Sequence, residues 1–293
     1  MNSFILFVLV AITIFVLARI LKPKPKTEEE RALIEEGVLS IKEKLSEHVL
    51  ESIKISPCSS PPANQFSSKF GGYPAWPSGR DYPRDKRDIP LKLLAQINLQ
   101  ELPENNILPS IGILQFFIAD NSSWGLEFES KKRTIDQIIA DSLGYRVVFH
   151  ADIFEEVLDI ENELGAIDYS GFPFEGECSL EFELEHVLCS PCDYRFEKII
   201  GNLDNFDDDV IDAAFELVDS GDCRVGGYAT FTQDDPRTLK PDEKWLLLFQ
   251  MDSVSKNGFD IMWGDAGVAN FFIQPEDLAK LDFSKIWFNW DCC

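Results

Sequence analysis

The sequence Leu-Leu-Ala-Gln-Ile-Asn at residues 93–98 decides the fold, because a close copy, Leu-Leu-Phe-Gln-Met-Asp, occurs at residues 247–252. Both copies lie in nearly continuous apolar runs, at 91–99 and 245–252. Runs of this length and composition are typical of β-strands that are covered on both faces. The two copies therefore predict two related buried strands, each with a glutamine in its interior.

Two further segments repeat in the same order and at nearly the same spacing. Gly-Gly-Tyr at 71–73 returns at 226–228, and the segment 112–118, which ends in Phe-Phe-Ile, returns at 267–273. Three matches in register are hard to obtain by chance, so the sequence predicts an internal duplication. Each half is expected to contain a Gly-Gly turn, a buried strand, a long loop and a second strand.

The remaining patterns predict a mixture of helices and strands. Helices are expected at 133–143 and 207–219, and a short one is expected to begin at Pro275. Between the halves, apolar residues and glutamates alternate over 180–185, which indicates a strand with one solvated acidic face. These features predict an α+β fold in which two related β-rich halves, and their sheets, pack about a pseudo-twofold axis.

The N-terminal region predicts a membrane anchor. Residues 4–21 are apolar apart from Thr13 and Arg19, and as a helix they would be about as long as the hydrocarbon layer is thick. Three lysines follow within residues 22–26, and no signal-peptide cleavage site is evident. A single transmembrane helix within residues 1–26 is therefore expected, with the N-terminus outside and the rest of the chain in the cytoplasm.

The chain after the anchor divides into a helix and a globular domain. Thr27 and Glu30 form a capping-box pattern, and an apolar stripe follows, so an amphipathic juxtamembrane helix is expected over 27–56. The globular domain is expected over 57–293. Its two halves are expected at about 66–150 and 178–293.

Composition narrows the classes of partner. The chain has 51 acidic and 27 basic residues and a net charge of −24, which repels nucleic-acid phosphates and favours either basic partners or simple solubility. Its seven cysteines are unevenly spaced and do not suggest a disulfide scaffold, so reduced thiols are expected. No partner is expected among nucleic acids.

The repeated strands supply the first candidate binding residues. Gln96 and Gln250 hold equivalent positions, and Asn98 and Asp252 follow two residues later on the same strand faces. A buried amide must find hydrogen-bond partners, so these four side chains could line a polar cleft between the halves. The alternative is that each glutamine holds the backbone of a neighbouring loop.

Two residues of a Trp-Gly-Asp-Ala-Gly segment are further candidates. Trp263 and Asp265 are expected in a tight turn just before a strand. Asp265 could act as an acid, a base or a cation ligand there. The alternative is that its carboxylate caps the turn through its own backbone.

A pattern of cysteines and a histidine supplies candidate metal ligands. His186, Cys189 and Cys192 are spaced as H-x2-C-x2-C, and Cys178 precedes them. Thiolate and imidazole ligands at such spacing could bind zinc. Structural zinc sites usually pair two such turns, however, and here Cys223 would have to complete the set. Ordinary buried or surface thiols are the alternative.

The repeated segments resemble the YwqG-like family, bacterial proteins of unknown function. The resemblance rests on Lys69-Phe70-Gly71-Gly72, Trp76-Pro77, Pro90–Leu99, Leu108-Pro109, Gly112–Phe117, Leu246–Ser253, Trp263–Gly267 and Trp290-Asp291-Cys292. It spans about residues 66–293. It implies the fold of that family but brings no activity and no catalytic residues.

Function is predicted only at the level of class. No nucleophile elbow, P-loop or dinucleotide-binding glycine motif is present, and no cofactor is required by the sequence. The leading hypothesis is a membrane-anchored, non-enzymatic binding protein, for example one that neutralises a basic protein partner as an immunity protein does. The alternative is a small-molecule- or metal-dependent enzyme with a cleft between the halves, using Gln96, Gln250 and Asp265.

Overall fold

A computed structural model describes residues 27–126, 134–142, 144–152, 154, 156–218 and 221–292. Its strands are β1 Leu50–Pro57, β2 Lys69–Gly71, β3 Lys92–Asn98, β4 Ile113–Ile118, β5 Tyr145–His150, β6 Glu177–Val187, β7 Cys223–Gly226, β8 Leu246–Asp252, β9 Ser255–Lys256, β10 Phe259–Asp260, β11 Val268–Ile273 and β12 Trp287–Asp291. Its α-helices are α1 Glu28–Ser46, α2 Ile135–Asp141, α3 Ile160–Leu164, α4 Phe196–Ile200, α5 Asp208–Phe215 and α6 Pro275–Leu278.

One antiparallel sheet organises the described part of the chain. Its strand order is β12-β11-β8-β7-β1-β6-β2-β3-β4-β5, and β9 and β10 form a separate hairpin. The sheet curls until its two edge strands meet: the rings of Tyr145 on β5 and Phe288 on β12 are 5.2 Å apart. The Tyr145 hydroxyl also donates to the Ile286 carbonyl, at 2.8 Å. The result is a near-barrel in which β5 and β12 close the circle through side chains.

The two sides of the sheet have the same construction. Starting from β1 and β6 at the centre, β2, β3, β4 and β5 on one side match β7, β8, β11 and β12 on the other. A β-bulge occurs at the same place in both copies, where Leu94 lies opposite no residue of β4 and Leu248 lies opposite no residue of β11. Bulges increase local twist and bend a strand, so both halves curl in the same way.

The predicted α+β class with two packed sheets is wrong. The described structure is mainly β, its helices are short apart from α1, and its ten main strands form one sheet. The reason is the central pairing, in which β1 and β6 hydrogen-bond from Leu50 with Val187 to Pro57 with Leu180. This ladder joins the strands of the two halves edge to edge, so the halves share one curled sheet.

The predicted transmembrane helix and membrane location are also corrected. In the described part of the chain, no helix is long and apolar enough to cross a membrane. The apolar stretch at 4–21 and its basic flank lie outside the described residues.

The predicted helix over 27–56 is correct only in its first part. Thr27 forms the expected capping box with Glu30, and α1 ends at Ser46. The next residues form β1, a central strand of the sheet, because Ile53 and Ile55 alternate with polar residues and both are buried. A segment expected beside the globular domain is thus part of its sheet.

The core lies on the concave side of the sheet and contains residues from both halves. Phe116 on β4 packs against Phe249 on β8 and Phe271 on β11, with ring centroids 4.6 and 5.1 Å apart. Smaller apolar clusters cover the convex side, one around Trp76 and Phe117 in the first half and another around Phe272 in the second. The loops that form these outer covers carry the site described next.

Two consecutive glycines start each of these loops. Gly71 and Gly72 have φ angles of 66° and 69°, in the left-handed region that favours glycine. A Cβ atom at Gly71 would lie only 2.1 Å from the Gly176 carbonyl oxygen. Glycine is therefore required there, and it turns the chain from β2 back across the convex face.

Candidate functional site

The glutamine of β3 holds the loop that follows the glycine pair. Its Oε1 accepts a hydrogen bond from the Ala75 amide at 2.9 Å, and its Nε2 donates to the carbonyls of Gln65 and Ser67. On β4, Gln115 donates to the Ala75 carbonyl at 2.7 Å and to Gln96 Oε1 at 2.8 Å. Both backbone groups of Ala75 are thus fixed by two buried side-chain amides.

The second half repeats this arrangement 154 to 155 residues later. Gln250 Oε1 accepts from the Thr230 amide at 2.9 Å, and Asn270 donates to the Thr230 carbonyl at 3.0 Å. Gln250 also donates to the Asp222 carbonyl. The amides therefore satisfy loop backbones, which is one of the two roles that the sequence left open.

The structure does not bring the two glutamines together in a shared cleft. Five strand spacings separate β3 from β8 in the sheet, and five spacings of about 4.8 Å correspond to about 24 Å along its surface. Asn98 instead caps a short 3-10 turn by accepting a hydrogen bond from the Gln100 amide. Asp252 accepts from the Ser253 amide, and burial raises its pKa to about 6.

Trp263 and Asp265 lie near each other but differ in exposure. Trp263 is fully buried and packs against Trp124 and Trp290, with ring centroids 5.3 and 6.1 Å apart. Asp265 is exposed, in a turn where its neighbours Gly264 and Ala266 both have positive φ. The tryptophan is therefore a core residue, and the carboxylate lies on the surface above it.

The cysteines and histidine of the predicted metal site do not form a common site. Cys178 and His186 lie on β6, where eight residues of extended chain span about 26 Å. Cys189 is fully buried, and burial raises the pKa of Cys178 to about 12, which opposes the thiolate form that a metal needs. Cys192 packs beside a different apolar cluster from Cys189. Among the described residues, no group of three or more His, Cys, Asp or Glu is placed to hold a metal ion.

The convex face of the second half is closed by a buried arginine. Arg237 is 1% exposed and donates to the carboxylates of Asp193 and Asp235, in each case at 2.8 Å. Its guanidinium lies 4.7 Å from the Phe272 ring and 4.9 Å from the Tyr194 ring. We call this group, with Phe231, the arginine box. The guanidinium and both carboxylates of the arginine box are buried.

The first half has a tyrosine at the equivalent position. Tyr82 packs against Trp76 and Phe117, with ring centroids 5.3 and 5.8 Å apart. Its hydroxyl donates to the Leu91 carbonyl, as Arg237 donates to the carbonyl of the equivalent Trp245. The same backbone site is thus used by a neutral side chain in one half and by a charged one in the other.

Beside Tyr82 the convex face is open. An inner cavity of about 240 Å³ lies between the Gly72–Pro74 loop and the chain that follows α3, and its walls are mainly apolar. An outer cavity of about 430 Å³ adjoins it, and Tyr82, Ile160 and Leu164 line both. We call the two together the first-half cleft. In combination they are large enough for a small molecule or a side chain with its neighbours.

An ion pair lines the inner cavity. Lys92 Nζ lies 2.7 Å from Asp120 Oδ2, and the same amino group donates to the Asp168 carbonyl. It also lies over the rings of Tyr169 and Phe172, at 5.9 and 5.5 Å. The positive charge of Lys92 is therefore already compensated before any ligand enters.

The sequence matches a family model described as a domain of unknown function, DUF1963, over residues 68–292. The chain belongs to the DUF1963 family. The matched region contains every residue that lines the first-half cleft, whereas α1 and β1 precede it. One central strand of the sheet thus comes from outside the DUF1963 match. No curated protein matches the chain.

In this DUF1963 chain, a series of hydrogen bonds connects the first-half cleft to the buried side-chain amides of Gln115 and Gln96. Arg80 Nη1 lies 3.1 Å from His150 Nδ1, and His150 Nε2 lies 3.1 Å from Gln115 Oε1. Because arginine only donates, Nδ1 must accept, and the ring proton is assigned to Nε2. The relay then continues through Gln115 to Gln96 and Ala75, so the cleft mouth and the loop share one network.

The buried histidine should make stability depend on pH. Burial, together with the nearby charge of Arg80, lowers the pKa of His150 to about 4. Below about pH 6.5 the histidine binds a proton in the unfolded chain but stays neutral in the folded state. The free energy of unfolding should therefore fall by about 2 kcal/mol between about pH 7.5 and pH 5. NMR titration of the imidazole protons and urea unfolding at several pH values would measure both effects.

The control for this prediction is His150→Gln, which keeps a donor toward Gln115 and removes the titration. Because the variant lacks this titration, its stability relative to the wild type should stay constant above about pH 7.5 and should rise by about 2 kcal/mol as the pH falls to 5. A pH-independent difference would contradict the assignment.

The sequence did not point to Tyr82, Lys92 or Arg237. A signal existed for the first and last of these, because extending the repeat at an offset of 155 aligns Tyr82 with Arg237. That alignment would have marked a position at which the two halves of the DUF1963 domain carry side chains of different charge. Lys92 had no such signal, since its partners Asp120 and Asp168 meet it only through the fold.

Proposed function

We propose that the protein is a binding protein and that the first-half cleft is its ligand site. The observation that carries the proposal is the difference between two related halves. Arg237 and its carboxylates fill the convex face of the second half, whereas the equivalent face of the first half is open beside Tyr82. An open concavity in one of two otherwise matched faces favours a role in binding for that face.

We propose further that the ligand is a basic segment of a protein partner. The net charge of −24 would attract such a partner over a distance and accelerate its encounter. Neutralisation of a basic protein, in the manner of an immunity protein, is one form that this function would take. We also propose that the chain is related to the YwqG-like proteins, and this relationship implies no activity.

The residues that the alternative, an enzyme with a cleft between the halves, would need are engaged elsewhere. It required Gln96, Gln250 and Asp265 around one cleft between the halves. The two glutamines hold separate loops, and Asp265 is exposed on a turn. No observation on the described residues favours a reaction at that place.

Filling the cleft should weaken the binding of basic peptides. Leu164 lines both cavities, so Leu164→Trp places a large ring where the ligand is expected. We expect basic peptides with interspersed leucines to bind the full chain, and the variant to bind them about tenfold more weakly, a loss of about 1.4 kcal/mol. Fluorescence anisotropy with labelled basic peptides and matched acidic ones would measure this.

The matched control is Leu239→Trp, because Leu239 is 69% exposed and lies in the second half. Its affinity should equal that of the wild type. Binding should also weaken between about 0.05 M and 0.5 M NaCl, since salt screens the attraction. Equal binding of basic and acidic peptides, or equal effects of the two tryptophan variants, would refute the proposal.

A further inference from the structure

Two cations, one in each half, are held in the same way, between aromatic rings and carboxylates. Arg237 lies between the rings of Phe272 and Tyr194 and pairs with Asp193 and Asp235. Lys92 lies over two rings and pairs with a carboxylate in the first half. Ring faces carry negative partial charge and carboxylates a full charge, so each of these two sites stabilises an ammonium or guanidinium group.

The inner cavity contains the same kinds of group around unfilled space. Tyr73 and Tyr82 supply aromatic walls, and Asp120 and Asp168 supply carboxylates at one end. Tyr73 is fixed by donating its hydroxyl proton to the Gly165 carbonyl, at 3.1 Å. Hydrogen bonds from Ser170 lower the pKa of Asp168, so this carboxylate is ionised at neutral pH.

The charges of the lining favour a cation over an anion. Two carboxylates and one lysine line the inner cavity, and the lysine is already paired with Asp120. In the outer cavity, Arg80 and Arg84 lie among three acidic residues, Asp81, Asp88 and Glu163. Each cavity therefore carries an excess of negative charge, in a chain that is itself strongly acidic.

We infer that the inner cavity receives a lysine or arginine side chain of the partner, its charged group at Asp120 and Asp168 and its apolar stem along Leu91 and Leu164. This inference rests on the proposed function and names the chemical group that the cleft selects. The stem is a run of methylenes, which suits the mainly apolar walls. The charged group meets carboxylates and tyrosine rings, as Arg237 does in the other half.

The test uses the full chain and three small probes of nearly equal size. They are Nα-acetyl-lysine methylamide, its neutral norleucine counterpart and the anionic glutamate counterpart, with binding measured by chemical-shift changes at the tyrosines and at Lys92. The lysine probe should bind about tenfold more tightly than the norleucine probe, which is about 1.4 kcal/mol. The glutamate probe should bind most weakly.

Asp168→Asn and Asp120→Asn should each weaken the lysine probe and leave the norleucine probe unchanged. Asp168 is exposed, so its variant should fold normally even if the loss of Asp120 disturbs Lys92. Asp242→Asn is the matched control, because it removes one exposed carboxylate outside the cleft. It should change neither affinity.

The outcomes separate this inference from the proposed function. If the norleucine or glutamate probe binds as tightly as the lysine probe, or if Asp242→Asn acts like the cleft variants, the inference is wrong. The proposed function would still stand if Leu164→Trp weakened the basic peptides. If Leu164→Trp left those peptides unaffected, the proposed function would fail first, whatever the probes showed.

Discussion

Replacing Gln96 by leucine is expected to lower the free energy of unfolding by about 3–5 kcal/mol, because each buried polar group left unpaired costs about 1–3 kcal/mol. The Gln96 side chain is fully buried and makes four hydrogen bonds. Leucine fills much of the volume but leaves the Ala75 amide and the Ser67 carbonyl without this partner. Urea unfolding, followed by circular dichroism, would measure the loss.

The duplication provides a matched comparison for this variant. Gln250→Leu removes the equivalent bonds to the Thr230 amide and the Asp222 carbonyl and should also destabilise the protein strongly. Gln100→Leu is the control, because Gln100 is exposed, and surface changes of this kind usually stay within about 0.5 kcal/mol. If Gln96→Leu behaved like Gln100→Leu, the amides would not be what fixes the outer loops.

Replacing Arg237 by methionine should be equally damaging, at about 3–5 kcal/mol, which is the usual cost of removing one partner of a buried ion pair. Methionine keeps the apolar contacts with Phe231 and Phe272. It leaves the Asp235 carboxylate buried without a guanidinium and leaves Asp193 with Arg195 alone. The loss therefore comes from uncompensated charge rather than from packing, and thermal and urea unfolding would both report it.

Two further measurements separate charge from packing. The triple variant Arg237→Met, Asp193→Asn and Asp235→Asn should recover a large part of the lost stability, because neutral amides cost less to bury than carboxylates. The pH dependence gives the second measurement. Arg195 and Arg237 lower the pKa of Asp193 despite its burial, so the pair stabilises the fold above the ordinary pKa of aspartate, near 3.9, and this stabilisation is lost as the pH falls.

The difference between wild type and Arg237→Met should therefore be largest near neutral pH and should shrink below about pH 4. An unchanged difference across this range, together with a triple variant no more stable than the single one, would show that Arg237 acts only by filling space.

Local patterns located several elements well. Strands β3 and β8 lie within the predicted runs, β6 shows the predicted alternation of apolar and acidic residues, and Thr27 begins a helix through its capping box. These features depend on neighbours in sequence, so they are visible without the fold. The same logic failed after Ser46, where a weak apolar stripe was read as helix although residues 50–57 enter the sheet.

The candidate site could not be predicted from local sequence patterns. The role of the glutamines stayed open because a sequence shows that an amide is buried but not which backbone groups it meets. The first-half cleft depends on Tyr82, Lys92 and Asp120 meeting across loops, and the metal prediction failed to find support because Cys178 and His186 lie at opposite parts of one extended strand.

The amino-acid sequence by itself determined that related segments occur twice, which residues form the repeated strands, and that the chain is strongly acidic. These properties follow from local composition and from spacing along the chain. Only the tertiary structure decided that both halves share one curled sheet, because the pairing of β1 with β6 joins residues more than a hundred positions apart. It also decided that one convex face is open and the other closed, since that difference depends on which distant carboxylates and rings surround Tyr82 and Arg237.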